Sequence, residues 1–159
     1  LGFHLNEEAL ISLPTLSFLI TQKKKDAIVL LNGKRRAAAI YMMGYAIEIA
    51  LKKRICSILG FSGFPEHQFE LNQQVAGIRQ NAHNLQPVSF PGIREIRNHN
   101  LEKLLTYSGK EFSVKNICLE EWVLVAGWNP DRRYIRRNIS QKQALDFIHS
   151  VQVILNQIV

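Results

Sequence analysis

One stretch constrains the fold more than any other: RRAAAIYMMGYAIEIALKKRICSILG, from Arg35 to Gly60. Within it Ile40, Met43, Ile47, Leu51, Ile55 and Ile58 recur at steps of three or four, the period of one helix face. Met42, Ala46 and Ile49 widen that stripe beyond what a helix with a single neighbour needs. The spacing therefore predicts a helix over about Arg35 to Leu59, packed on more than one side, with Gly60 as its stop. Glu48 stands four residues before Lys52, a favourable helical pair of about 0.2–0.5 kcal/mol. A central helix of this length has to be wrapped by others, and the remaining sequence supplies them.

A first helix is expected from near Pro14, a residue suited to a first turn, with Leu16, Leu19, Ile20, Ala27, Leu30 and Leu31 on one broad face. Asn32 and Gly33 are read as its left-handed stop. A third helix follows from His99 or Asn100, burying Leu101, Leu104 and Leu105, with Gly109 after it. A fourth is expected over about Val114 to Ala126, using Val114, Ile117, Cys118, Trp122 and Val125. The last begins after Ser140, where SQKQ forms a capping box and Leu145, Ile148, Val151, Leu155 and Ile158 form the stripe. Residues 61–91 read as an irregular insertion between the second and third main helices, with a short helix near Leu71 to Ile78. No alternating strand pattern is apparent. The expectation is a single all-α domain over 1–159, an up-and-down bundle of about five helices.

The longest apolar run, near Ala37 to Leu51, is interrupted by Gly44 and Glu48 and falls short of the ~18 residues a membrane span needs. The first residues lack the order of a secretion signal, and Leu1 in place of methionine is compatible with residues upstream. Cys56 and Cys118 sit among apolar neighbours without metal-ligand spacing, which reads as reduced core thiols and a cytoplasmic protein. No phosphate-cradling glycine loop, His-Glu metal motif or zinc spacing is present, so neither cofactor nor metal is expected.

The chain carries a net charge of +7, and its excess is clustered at Lys23–Lys25, Lys34-Arg35-Arg36, Lys52–Arg54 and the segment RRYIRR. Clustered basic charge attracts polyanions, nucleic acid first among them, although solvated helix faces give the same composition. In RRYIRR the pairs Arg132, Arg133 and Arg136, Arg137 flank Tyr134, offering phosphate forks beside a ring that stacks on a base or anchors the loop. Lys34, Arg35 and Arg36 stand at a helix N-terminus, against the macrodipole, a placement that an anionic ligand would relieve. Of the five histidines only His99 has a chemically useful neighbourhood, with Arg94 five residues before it and Arg97 two before. An imidazole near neutrality and a permanent cation suit proton transfer and charge stabilisation in metal-free RNA cleavage. The alternative is that His99 caps or orients the third helix.

Three pieces in order, AAAIYMMGYAIEIALKKRI, HNLEKLL and RRYIRR before a final amphipathic helix, resemble the HEPN family, the higher eukaryotes and prokaryotes nucleotide-binding domain. Gly44, Tyr45, Glu48, Leu51 and Lys52 fit its Gly-Tyr-x-x-Glu-x-x-Leu-Lys core. His99, Asn100 and Leu101 fit its His-(Asp/Asn)-Leu helix start, and Arg133 and Tyr134 its Arg-Tyr element. The resemblance spans most of the chain, from about Lys24 onward. It implies a helical bundle, frequently a homodimer, that binds nucleotide or RNA in a defence or toxin–antitoxin setting. The family also contains metal-independent endoribonucleases, whose signature is Arg, four to six residues, then His; Arg94 and His99 match it by count. A third role it implies is a non-catalytic interaction module paired with a small nucleotidyltransferase.

Overall fold

The computed structural model describes residues 10–81, 89–131 and 138–159. Among them are eight helices and one two-stranded pairing, an all-α helical bundle. Helix α1 (Leu13–Asn32) and helix α2 (Arg36–Leu59) form the longest hairpin, and helix α8 (Gln141–Ile158) packs along α2 from the other side. Helix α5 (Leu101–Tyr107) also rests on α2, and helix α7 (Leu119–Val125) lies on α8. Helix α2 is thus covered on several sides, as its widened apolar stripe requires. Met43, Ala46, Ile47, Ala50, Leu51, Ile55 and Cys56 are all buried. Ile58, counted in that stripe, is exposed at the end of the helix, with the turn at Gly109 close to its side chain.

Ser12 caps α1 by accepting from Thr15 N–H at 3.2 Å, and Pro14 sits in the first turn. The left-handed stop falls one residue later than the glycine. Gly33 has φ −79°, and Lys34 takes φ 60°. Lys34 N–H donates to Leu31 O and Arg35 N–H to Leu30 O at 3.0 and 2.8 Å, a Schellman closure with lysine in the position usually given to glycine. The capping box at Ser140 is present as expected, with Gln143 N–H on Ser140 Oγ and Gln143 Oε1 accepting from Ser140 N–H.

The remaining departures have local causes. The fourth helix is two short ones, α6 (Glu111–Ile117) and α7, because Cys118 at φ −127° breaks the run to bury its thiol. Ile117 then turns to solvent, as does Leu145 on α8. Trp122 is held in the core by donating Nε1–H to Glu102 Oε1 at 2.7 Å, while Lys115 bridges Glu102 and Glu111. The stretch after Gly60 is more regular than its composition implies. Residues Gly63–Phe64 (β2) pair antiparallel with Ile11–Ser12 (β1), the short helix expected near Leu71 to Ile78 is present and longer as α3 (Gln68–Asn81), and a single turn α4 covers Ile93–Ile96. These short pieces raise the helix number from the expected five to eight.

Gly44 decides how α2 meets the segment after α7. A Cβ built there would lie 2.0 Å from the Trp128 indole. Gly44→Ala is therefore expected to lower stability by about 1–3 kcal/mol in denaturant melts. Gly77→Ala, in open space within α3, should raise it by about 0.5–1 kcal/mol. Burial pushes the Cys56 thiol from 9.0 up to about 12, opposed weakly by its backbone hydrogen bond, and burial also raises Cys118. The unfolded chain ionises at Cys56 first, so this contribution is whole below pH 9 and is lost as pH rises from 9.0 towards about 12. Neither thiol should react with a disulfide reagent in the native state, and both should do so once unfolded.

Candidate functional site

One face of α2 departs from the apolar pattern. Tyr41, Tyr45, Glu48 and Lys52 follow one another at intervals of four, three and four, which aligns them along the helix. Glu48 is the innermost, with its side chain 4% exposed. Its Oε1 accepts from Lys52 Nζ at 2.7 Å, and its Oε2 meets His99 Nδ1 at 2.8 Å. Lys52 is largely covered and also stands 5.2 Å over the Phe64 ring, so β2 closes one side of the pair. The sequence reading gave Glu48 and Lys52 as a favourable helical pair four residues apart. Burial makes their pair a core element, in which an unpaired partner would be expensive.

The segment RNHN presents the histidine by a compact local device. Asn98 Nδ2 donates to the carbonyls of Arg94 and Glu95 at 3.3 and 2.7 Å, closing α4, while its Oδ1 accepts from Asn100 N–H at 2.9 Å. Asn100 Oδ1 then caps α5 on Lys103 N–H at 3.0 Å, and Leu101 enters the core. Asn100 is thus the helix cap, and His99, between two clamped asparagines, is free to reach across to α2. Its ring remains 52% exposed.

Beside this triad stands an aromatic wall. Tyr45 meets the His99 ring edge-on at 6.4 Å, Trp128 at 5.1 Å and Tyr41 at 5.0 Å, and the two tyrosine hydroxyls are 3.3 Å apart. Trp128 and Tyr41 in turn line a groove of about 1260 Å³ between the start of α2, the α7 side and the start of α8. Exposed Val123 and Leu124 form its apolar wall, and Lys34, Arg35 and Arg36 form its basic rim. Arg36 is engaged structurally, donating to Gln141 Oε1 and Ile139 O at 3.1 and 3.3 Å. Lys34 and Arg35 are exposed and have no acidic partner among the described residues. The first turn of α2 carries neither a side-chain cap nor an acidic residue.

The structure therefore joins Tyr45, Glu48, Lys52 and His99 in one cluster and puts Lys34, Arg35 and Arg36 on the adjoining groove. Arg94 and Arg97 are exposed on and just after α4, and neither is bonded to His99 or Glu48 among the described residues. Arg132, Arg133, Tyr134, Arg136 and Arg137 lie outside the described residues. Sequence reading missed Tyr41 and Trp128; the four-residue step from Tyr41 to Tyr45 was the available signal for the first. His149 is exposed on α8, away from these contacts. No group of three metal-ligating side chains occurs among the described residues, and no helix among them is long and apolar enough to cross a membrane.

No family model matches the chain, nor does any curated protein or solved structure. Function has to be argued from geometry. A carboxylate that is already neutralised by lysine holds an imidazole by one nitrogen and leaves the other at the surface, next to a groove with a basic rim and an apolar wall. Such an arrangement has the chemistry to hold an anion bearing a flat apolar group and to place an imidazole nitrogen near it.

Glu48→Ala strands Lys52 in partly desolvated surroundings and should lower stability by about 3 kcal/mol. The double variant Glu48→Met with Lys52→Met should recover most of that loss in urea melts.

Proposed function

We propose that the chain is a HEPN-like nucleotide- or RNA-binding helical bundle, with the groove at the start of α2 as its binding surface. The observation that carries this reading is the pairing of two cations with no acidic partner among the described residues, Lys34 and Arg35, with the apolar wall of Val123, Leu124 and Trp128. Phosphate meets the rim and the uncapped N–H groups of α2; a base lies against the wall. Lys34 supports it from a second direction. A lysine in the left-handed region costs about 1 kcal/mol relative to glycine, and backbone strain of this kind gathers where a side chain has a task. The homodimer, the defence or toxin–antitoxin setting and the nucleotidyltransferase partner belong to this proposal through the resemblance alone, and the cytoplasmic location through the reading of Cys56 and Cys118 as reduced thiols.

A second reading, metal-independent RNA cleavage, is favoured by the half-exposed His99 backed by buried Glu48. In it His99 takes the 2′-hydroxyl proton, and an arginine, Arg94 or Arg97, faces the developing phosphorane charge.

Binding of a labelled single-stranded hexanucleotide should weaken steeply between about 50 and 200 mM salt, and Arg35→Ala should lower both the affinity and the salt slope, the latter by about one. Salt-independent binding would remove the groove reading. Lys34→Gly should stabilise the fold by about 1 kcal/mol while weakening the same binding. For the second reading, RNA cleavage in chelator should vanish in His99→Ala; equal activity of variant and parent would exclude it.

A further inference from the structure

The groove has a basic rim, yet one carboxylate borders it. Asp146, on α8, is the one acidic side chain among the described residues that line it. It does not serve the rim. Its Oδ2 accepts from Lys142 Nζ, one turn back on its own helix, and Lys34 and Arg35 go without it. That pair alone gives little reason for the residue, since Lys142 is 84% exposed and surface ion pairs of this spacing contribute little. Oδ1 has no hydrogen bond among the described residues. Gln143, three residues before Asp146 and so beside it on the same face of α8, also borders the groove. The capping box occupies its Oε1, which accepts from Ser140 N–H at 2.9 Å, and so leaves its N–H₂ as the outer end. The groove thus sets an amide donor next to a carboxylate acceptor.

Resting on the nucleotide-binding reading above, we propose that Asp146 and Gln143 read the edge of the bound base and make the groove selective for guanine. Charge is segregated along the groove as it is along a nucleotide. Gln141 is tied to Arg36 at the rim, and Asp146 stands five residues further along α8, about 7.5 Å from that junction. Helix α7 packs on α8, so the carboxylate borders the same space as the wall of Val123 and Leu124. A phosphate at the rim and a base on the wall leave the edge of the base to Asp146. A carboxylate only accepts, so it has to be met by donors. Guanine alone among the four bases has two adjacent donors on its Watson–Crick edge, N1–H and the 2-amino group, and its O6 beside them suits the Gln143 amide. Adenine and cytosine offer one amino group next to a ring nitrogen whose lone pair would face the carboxylate. Uracil offers one N–H between two carbonyls.

Labelled uracil hexanucleotides with one central guanine, hypoxanthine, adenine or uracil test this in anisotropy titrations at fixed salt. The parent chain should bind the guanine strand about tenfold more tightly than the adenine or uracil strand, the worth of a hydrogen bond to a charged group. The hypoxanthine strand, which lacks the 2-amino group, should fall between them. Asp146→Asn removes a negative charge and so tightens every strand alike, which makes the ratio the readout. The amide keeps the shape but puts a donor where an acceptor stood, and the guanine-to-adenine ratio should fall to one or below. Lys142→Ala breaks the same ion pair from its other side and should keep the preference. Both side chains are well exposed on α8, so neither substitution touches the core. Loss of the preference in Lys142→Ala would leave Asp146 a structural role only and overturn the proposal. Equal binding of the four strands by the parent, or a guanine preference that survives in Asp146→Asn, also overturns it and leaves the groove reading intact. Failure to bind any strand removes both.

Discussion

A carboxylate inside a helical bundle has to be compensated, and the compensation of Glu48 organises the surroundings of α2. Lys52 neutralises it from the next turn, and His99 satisfies its second oxygen from the segment just before α5. Those two contacts fix where α5 begins against α2 and draw β2 in through the Phe64 ring under Lys52. Apolar residues at positions 48 and 52 together would pack about as well in energetic terms, since buried ion pairs seldom stabilise more than their hydrophobic replacements. The charge is retained at a place where it holds an imidazole at the surface, which is the physical ground for regarding the cluster as a site.

The groove at the other end of the same face shows a similar preference for placement over stability. Lysine occupies a left-handed backbone position that glycine would fill with less strain, and α2 begins without a side-chain cap, flanked by positive charge. Gly44 contributes by absence, since any side chain there would displace the Trp128 ring that separates groove from triad. Tyr41, Tyr45 and Trp128 then make one aromatic wall, each in contact with the next, that reaches from the basic rim to His99. Both features are what the proposed nucleotide- or RNA-binding reading of the groove calls for.

Much of the helical frame was legible because its signals are local. The three-and-four spacing of α2, Pro14 at the start of α1, and the Ser140 box are each written within a few residues. What could not be read depended on contacts between distant segments. The break at Cys118 arises from burying that thiol, and the β1–β2 pairing joins positions about fifty residues apart. Exposure of Ile58, Ile117 and Leu145 likewise depends on which neighbours reach them. The site was legible in part. Glu48, Lys52 and His99 were each singled out, but spacing could not say that Glu48 bonds His99 across 51 positions. Nor could it distinguish Arg36, tied to the start of α8, from Lys34 and Arg35 beside it.

The central claim is the proposal that the groove at the start of α2 binds a nucleotide or RNA, and amide chemical-shift mapping of the labelled chain during titration with a short RNA tests it most directly. The account predicts shifts at Lys34, Arg35 and Tyr41, with Val123 and Leu124 on the opposite wall. Shifts confined to Lys23–Lys25, or scattered over lysines and arginines with the α2 face unmoved, would contradict it.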